Sequence, residues 1–294
     1  MPATVPERRR REAAAVRDGL ACGAVSALPR AAGLAYRESG GRESPPVLFL
    51  HGYPESSYMW RDAIAATAGA GMRAIAPDFA GYGDSPADPP GTWEHHVEML
   101  DAFVRELELG PVALVTHDWG VMIGLRWACD TPGSARALVI SDGGFFADRR
   151  WHDLANTLRT PGDGEALVDS MTREAFGAAL AALVPAIEPQ ALDEYFRCCA
   201  DAERRRGQLE LYRSGDFEKL APYEGALAAL GVPTLLLWGE LDPFAPVALG
   251  ERFRDELPGS TLSVIDGAGH FIWDEASAQA TALLVPFLVA TAGD

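Results

Sequence analysis

A chain of 294 residues with 48% hydrophobic content can bury a sizeable core, as one large α/β domain or two small ones. Its net charge of −17, from 25 Lys and Arg against 42 Asp and Glu, repels nucleic acid and disfavours polyanionic substrates. Neither a signal peptide nor a membrane anchor is expected: Pro29 and Arg30 cut short LACGAVSAL, and Pro286 interrupts ATALLVPFLVATAG, which is too short to span a bilayer.

Residues 1–30 read as a basic extension, a solvated tail carrying Arg8, Arg9, Arg10, Arg11 and Arg17 against Glu7 and Glu12. Four cysteines (Cys22, Cys129, Cys198, Cys199), two of them adjacent, do not form a disulfide framework at this length, so reduced thiols and a cytoplasmic protein are expected. The first strand, AGLAYRES (32–39), alternates as an antiparallel edge strand does. Five buried strands follow as short apolar runs: PVLFLHG (46–52), MRAIAPDFAG (72–81), PVALVTHDWG (111–120), ARALVISDGG (135–144) and PTLLLWGELDP (233–243). STLSVIDGAGH (260–270) is a sixth.

Helical patterns fall between them: 92–109 with Thr92 as N-cap, 121–130 directly after HDWG, and a terminal helix from about 275 to 288. Strand alternating with helix predicts a mostly parallel, doubly wound sheet, with catalytic groups at the carboxyl ends of its strands. Between Phe145 and Leu230 the rhythm breaks, and only helical runs remain, among them EALVDSMTREAFGAALAAL and PQALDEYFRCCADAERRR. The chain therefore divides into a core of 31–144 and 231–294, with 145–230 as a helical cap over the sheet's carboxyl edge.

A carboxylate at the tip of a buried strand costs several kcal/mol unless something compensates it, and Asp118 in THDWG stands at such a tip. Strand, turn and helix with a reactive residue at the apex make a nucleophile elbow. No G-x-S-x-G occurs, so the apex here is Asp118. The Tyr53 N–H in HGYP and the Trp119 N–H could form an oxyanion hole. Asp242 after TLLLWGE could orient a histidine, and His270 in DGAGHF stands late in the chain as general base. Asp118 also suits a helix N-cap, and Asp242-Pro243 also suits a turn. His95 and His96, without a partner carboxylate, read as surface residues. No metal-ligand spacing is visible, so neither metal nor cofactor is expected.

HGYP, PDFAGYGDSP, THDWG, WGELDPF and GAGHF, in this order, resemble the α/β-hydrolase superfamily, and more narrowly its aspartate-nucleophile branch of haloalkane dehalogenases and epoxide hydrolases. The resemblance covers roughly residues 33–290. It implies the α/β-hydrolase fold with an all-helical cap inserted after the sixth strand. It further implies an Asp118 nucleophile, an alkyl-ester intermediate and a water activated by His270, with Asp242 as the acid. Asp142 in ISDGG is the competing acid, because some dehalogenases resembling this chain carry it after that earlier strand.

A carboxylate suits such substrates because its attack on a saturated carbon leaves an ester that water can cleave, where serine would leave an ether. Trp119 matches the halide-donating tryptophan of dehalogenases, worth roughly 1.5–3 kcal/mol as a charge-assisted bond. Tyr53 stands where many dehalogenases have Asn and epoxide hydrolases have an aromatic residue. Trp151 is the cap tryptophan that could donate a second bond. Tyr212, in a Tyr-Arg pair, matches one of two cap tyrosines of epoxide hydrolases, while Tyr195 is a weak match for the other.

Haloacids are not expected, since Trp119 and Met122 stand where the related haloacid enzymes place arginines. The leading expectation is haloalkane dehalogenation, with epoxide hydrolysis as the alternative. A catalytically weak ligand-binding relative is the third reading, because Thr116 and Val121 occupy elbow positions where glycine relieves crowding. The expected partners are a small apolar organic substrate and water, with no nucleic acid and no membrane; the sequence sets no oligomeric state.

Overall fold

The computed structural model describes residues 27–292, so the arginines of the extension and Cys22 lie outside the described residues. One eight-stranded sheet runs in the order β1-β2-β4-β3-β5-β6-β7-β8. Its strands are β1 (Arg30–Ala31), β2 (Leu34–Ser39), β3 (Pro46–Leu50), β4 (Arg73–Pro77), β5 (Val112–His117), β6 (Ala135–Ser141), β7 (Thr234–Gly239) and β8 (Thr261–Ile265). β1 and β2 pair antiparallel, β2 is antiparallel to β4, and every later pairing is parallel. Arg30, assigned from sequence to the extension, already pairs with Ala35 in the sheet.

β3 to β7 are covered on both faces, which is why their sequences are continuous apolar runs; β8, also expected to be buried, is instead the edge strand, with Thr261 and Val264 exposed and only Ile265 buried. Leu48 and Leu50 of β3 join one core layer while Val47 and Phe49 join the other. The covering helices in the first half are α1 (Arg61–Gly69), α2 (Trp93–Glu106) and α3 (Trp119–Asp130). Thr92 caps α2, its side chain accepting from the His95 N–H. α2 corrects the reading of His96, which is buried at 2% exposure. It lies on the same helical face as Leu100 and Phe103, and its ring meets Phe79 edge-on at 5.6 Å. Burial holds its imidazole neutral, with a pKa down to about 3. His95 faces outward and meets Asp88 at 2.9 Å.

Between β6 and β7 the described chain is helical: α4 (Asp153–Arg159), α5 (Asp163–Ser170), α6 (Arg173–Leu183), α7 (Pro189–Phe196), α8 (Ala202–Ser214) and α9 (Ala226–Ala229). Both long helical runs of this segment are broken by polar caps. Thr172 accepts from the Ala175 N–H and starts α6, and Asp201 accepts from the Arg204 N–H and starts α8. After β7 come α10 (Val247–Glu256), α11 (Ile272–Glu275) and α12 (Ser277–Ala290). No helix among the described residues is long and apolar enough to cross a membrane.

Candidate active site

β5 delivers Asp118 into a turn with φ +47° and ψ −115°, and α3 begins at the next residue. A non-glycine residue at such angles is strained, and the surrounding packing has to hold it there. The Tyr53 N–H donates to Asp118 Oδ1 at 2.9 Å. The N–H of Trp119, first residue of α3, has no carbonyl one turn back within its helix to accept it.

His270 Nε2 stands 3.6 Å from Asp118 Oδ2, and His270 Nδ1 donates to Asp242 Oδ2 at 2.8 Å. The other oxygen of Asp242 accepts from the Phe244 N–H at 2.7 Å and the Ala245 N–H at 2.9 Å, which fixes the carboxylate. Burial pushes the Asp118 carboxyl up, but His270, the neighbouring His117 and the Tyr53 N–H outweigh it and hold it well below the ordinary carboxylate range. Burial likewise pushes His270 down, and the carboxylates of Asp242 and Asp118 together raise it well above the ordinary imidazole value.

Asp142, the alternative acid, has φ +42° and spends one oxygen on the Gly239 N–H at 2.8 Å. Burial, and then the neighbouring Asp242, push its carboxyl well above the ordinary range. The histidine contact thus belongs to Asp242, while Asp142 lies beside it in surroundings that favour its protonated form.

The indole of Trp119 stacks on Trp151 with ring centroids 5.5 Å apart and meets Tyr212 edge-on at 5.2 Å. Tyr212 also meets Tyr53 edge-on at 5.1 Å. Trp151 corrects one expectation: its ring walls the cavity at Asp118, but its indole N–H donates to the Gly215 carbonyl at 3.2 Å and is not offered to a leaving group. Tyr195 is likewise spent, donating to Asp274 Oδ2 at 2.7 Å in a pair with Arg61. The cavity at Asp118 holds about 20 Å³, room for about one water. A cavity of about 500 Å³ between Phe146, Tyr223, Arg252 and Phe253 does not include Asp118 and lies apart from this chemistry.

Sequence reasoning missed two groups here. Glu55, directly after HGYP, is fully buried with both carboxyl oxygens lacking a hydrogen bond, and its Oε2 lies 3.4 Å from His117 Nε2. Burial raises its carboxyl well above the ordinary range, and burial lowers His117 to about 3. Burial thus favours the neutral form of both, whereas the carboxylates around His270 favour its protonated form. The second missed group is Arg149, which lines the cavity at Asp118.

The crowding expected from Thr116 and Val121 is taken up by glycines across from them. A Cβ on Gly143 would fall 2.6 Å from Val121 Cγ2, and one on Gly124 would fall 2.9 Å from Thr116 Cγ2. Thr116 Oγ1 also donates to the Val139 carbonyl at 3.0 Å. Gly143→Ala is therefore expected to cost about 1–3 kcal/mol in urea unfolding through overpacking. Combined with Val121→Gly, the loss is expected to fall short of the sum of the two single losses. Full additivity would mean the two side chains do not compete for this space.

A sheet of this order, an apex residue between β5 and α3, and a histidine and acid after the last two strands define an α/β hydrolase. Residues 45–277 match the family described as alpha/beta hydrolase fold, and the chain belongs to that family. It lies in the branch of haloalkane dehalogenases and epoxide hydrolases and is a hydrolase. It is 28% identical over 270 residues to a haloalkane dehalogenase of Bradyrhizobium diazoefficiens, covering 82% of this chain and 86% of the relative. It is 32% identical over 301 residues to an epoxide hydrolase of Caballeronia sordidicola, covering 83% and 87%. A haloalkane dehalogenase crystal structure from Bradyrhizobium elkani superposes with a TM-score of 0.76 at 27% identity, covering 88% of this chain and 94% of that one.

Proposed function

We propose that this protein hydrolyses carbon–halogen bonds in small apolar substrates through an alkyl ester on Asp118, with the helices between β6 and β7 acting as the cap. The observation that carries the reading is the line from Asp118 through His270 to Asp242, with the Tyr53 N–H on the nucleophile. Asp118 Oδ2 attacks the carbon bearing the halogen, and the halide departs with the bonding pair. Oδ1 becomes the ester carbonyl oxygen, already held by Tyr53 N–H.

Between two carboxylates His270 favours its protonated form, which cannot act as a base. Ester formation removes the charge of Asp118 and with it part of that bias, so the imidazole becomes a competent base when it is needed. Nε2 then takes a proton from water as the oxygen adds to Asp118 Cγ. The developing charge on Oδ1 is met by the N–H groups of Tyr53 and Trp119. Collapse expels the alkoxide, which recovers the first proton from His270 and leaves as the alcohol; the second proton of the water, now on the Asp118 carboxyl, passes to His270 Nε2 or to solvent, and the carboxylate is restored.

Halide is favoured over epoxide because the cavity walls offer N–H groups and apolar surface and include no hydroxyl residue. Epoxide opening needs an O–H donor, and Tyr212, edge-on to Trp119 and sensing the charge of Asp118, keeps that second reading in play. Incubation with 1-bromobutane and with styrene oxide separates them: bromide release without diol is the expected result. Diol without bromide would assign the epoxide reaction instead.

A further inference from the structure

Arg149 stands in the irregular segment between β6 and α4, and its guanidinium turns back over Gly144. A Cβ at Gly144 would fall 2.2 Å from Arg149 Nη1. Its Nη2 donates to the Phe244 carbonyl at 2.8 Å, and the ring of Phe244 lies edge-on to His270 at 5.1 Å. That anchor sets the cation one residue away from the base. Arg149 is half-buried, and no carboxylate of a described residue comes within ion-pair distance of it. The adjacent Asp148 is instead paired with Arg252 at 2.6 Å.

A half-buried guanidinium without an ion pair is unusual in a chain with 42 acidic residues. It faces the cavity that also holds Asp118, Trp119 and His152. His152 Nδ1 accepts from the Ala155 N–H at 3.3 Å, so the neutral ring carries its proton on Nε2 and adds a second donor group to the same wall.

We propose that Arg149, with His152 beside it, forms an anion-binding site inside the Asp118 cavity. The shared ligand chemistry is a small monoanion, which could be the released halide or a carboxylate carried by the substrate. The halide is favoured on one ground. During ester formation the negative charge passes from Asp118 to the leaving group, so a fixed cation nearby keeps a partner throughout the step. Arg149 would then supply the leaving-group contact that the indole N–H of Trp151, held by Gly215, does not. Assignment of the anion as a leaving halide rests on the proposed dehalogenation, whereas anion binding itself does not.

The test is binding without turnover, in chloride-free buffer. Sodium bromide is followed by bromide NMR line broadening and sodium butyrate by saturation-transfer NMR, for the intact protein and for Arg149→Met and Arg149→Lys. The expected result is saturable bromide binding, weakened at least tenfold in Arg149→Met and largely kept in Arg149→Lys, both variants melting as cooperatively as the parent. Tighter binding of butyrate than bromide, lost with the same variant, would support the site and assign it to a substrate carboxylate. Undiminished bromide binding in Arg149→Met, or no binding of either anion, would overturn the proposal. Arg149-dependent binding in a protein that releases no bromide from 1-bromobutane would leave the anion site standing and remove the dehalogenation reading.

Discussion

Replacing His270 with alanine is expected to stop turnover at the ester, leaving an alkyl group on Asp118. The first step needs only the carboxylate, which is ionised well below neutral pH and aimed by the Tyr53 N–H. The second step needs a base on the far side of the ester carbonyl, and His270 Nε2 is the group within reach of it. Steady-state turnover is expected to fall by at least about 10³-fold, while one equivalent of bromide is still released from 1-bromobutane. Intact mass should rise by one butyl group, and peptide mapping should locate it on Asp118. The effect has two parts that can separate. Loss of the imidazolium also removes a charge that stabilises the Asp118 carboxylate before its attack, so the single burst is expected to be no slower than ester formation in the parent protein. An unmodified mass beside a parent that turns the substrate over would exclude the covalent route.

Much of the core was legible because parallel strands buried on both faces must be apolar throughout, and each such run was visible between turn residues. The elbow was legible for the same reason: a carboxylate placed where only apolar residues fit has few explanations. What escaped reading depends on contacts distant in sequence. The N–H of Trp151 is claimed by Gly215, 64 residues on, so its failure as a donor leaves no trace in the RRWHDL motif. Arg149 sits in an irregular stretch with no periodicity, and only the fold turns it toward Asp118. Haloacid chemistry was set aside from the residues that follow Asp118, yet a guanidinium reaches the cavity from another segment. The crowding at Thr116 and Val121 could not be judged without Gly124 and Gly143, whose missing side chains take it up. His96 looked unpartnered because burial, rather than an acid, is what it meets.

Asp242 and Asp142 both end strands with plausible acids, and their asparagine variants are expected to differ sharply. Asp242→Asn removes the carboxylate that meets His270 Nδ1 at 2.8 Å and offers an amide in its place, which favours the wrong tautomer. By analogy with triads of this geometry the loss in kcat is on the order of 10³–10⁴-fold. It also withdraws the largest influence raising the pKa of His270, so the pH profile of the remaining activity should shift to lower pH. Asp142→Asn is expected to keep nearly full activity, since asparagine still accepts from the Gly239 N–H and can still donate as the protonated acid does.

Its signature lies in stability instead. The folded-state pKa of Asp142 is raised by burial and by Asp242, so the folded protein holds a proton that the unfolded chain releases near its ordinary value. Stability is then lost as pH rises from the unfolded pKa, about 3.9, toward the folded one, by up to about tenfold in the folding equilibrium per pH unit. Asp142→Asn removes that slope. Its advantage over the parent in urea unfolding should be absent at the acid end of this window and grow toward neutral pH. The opposite pair of outcomes, a dead Asp142→Asn beside an active Asp242→Asn, would move the acid to the earlier strand.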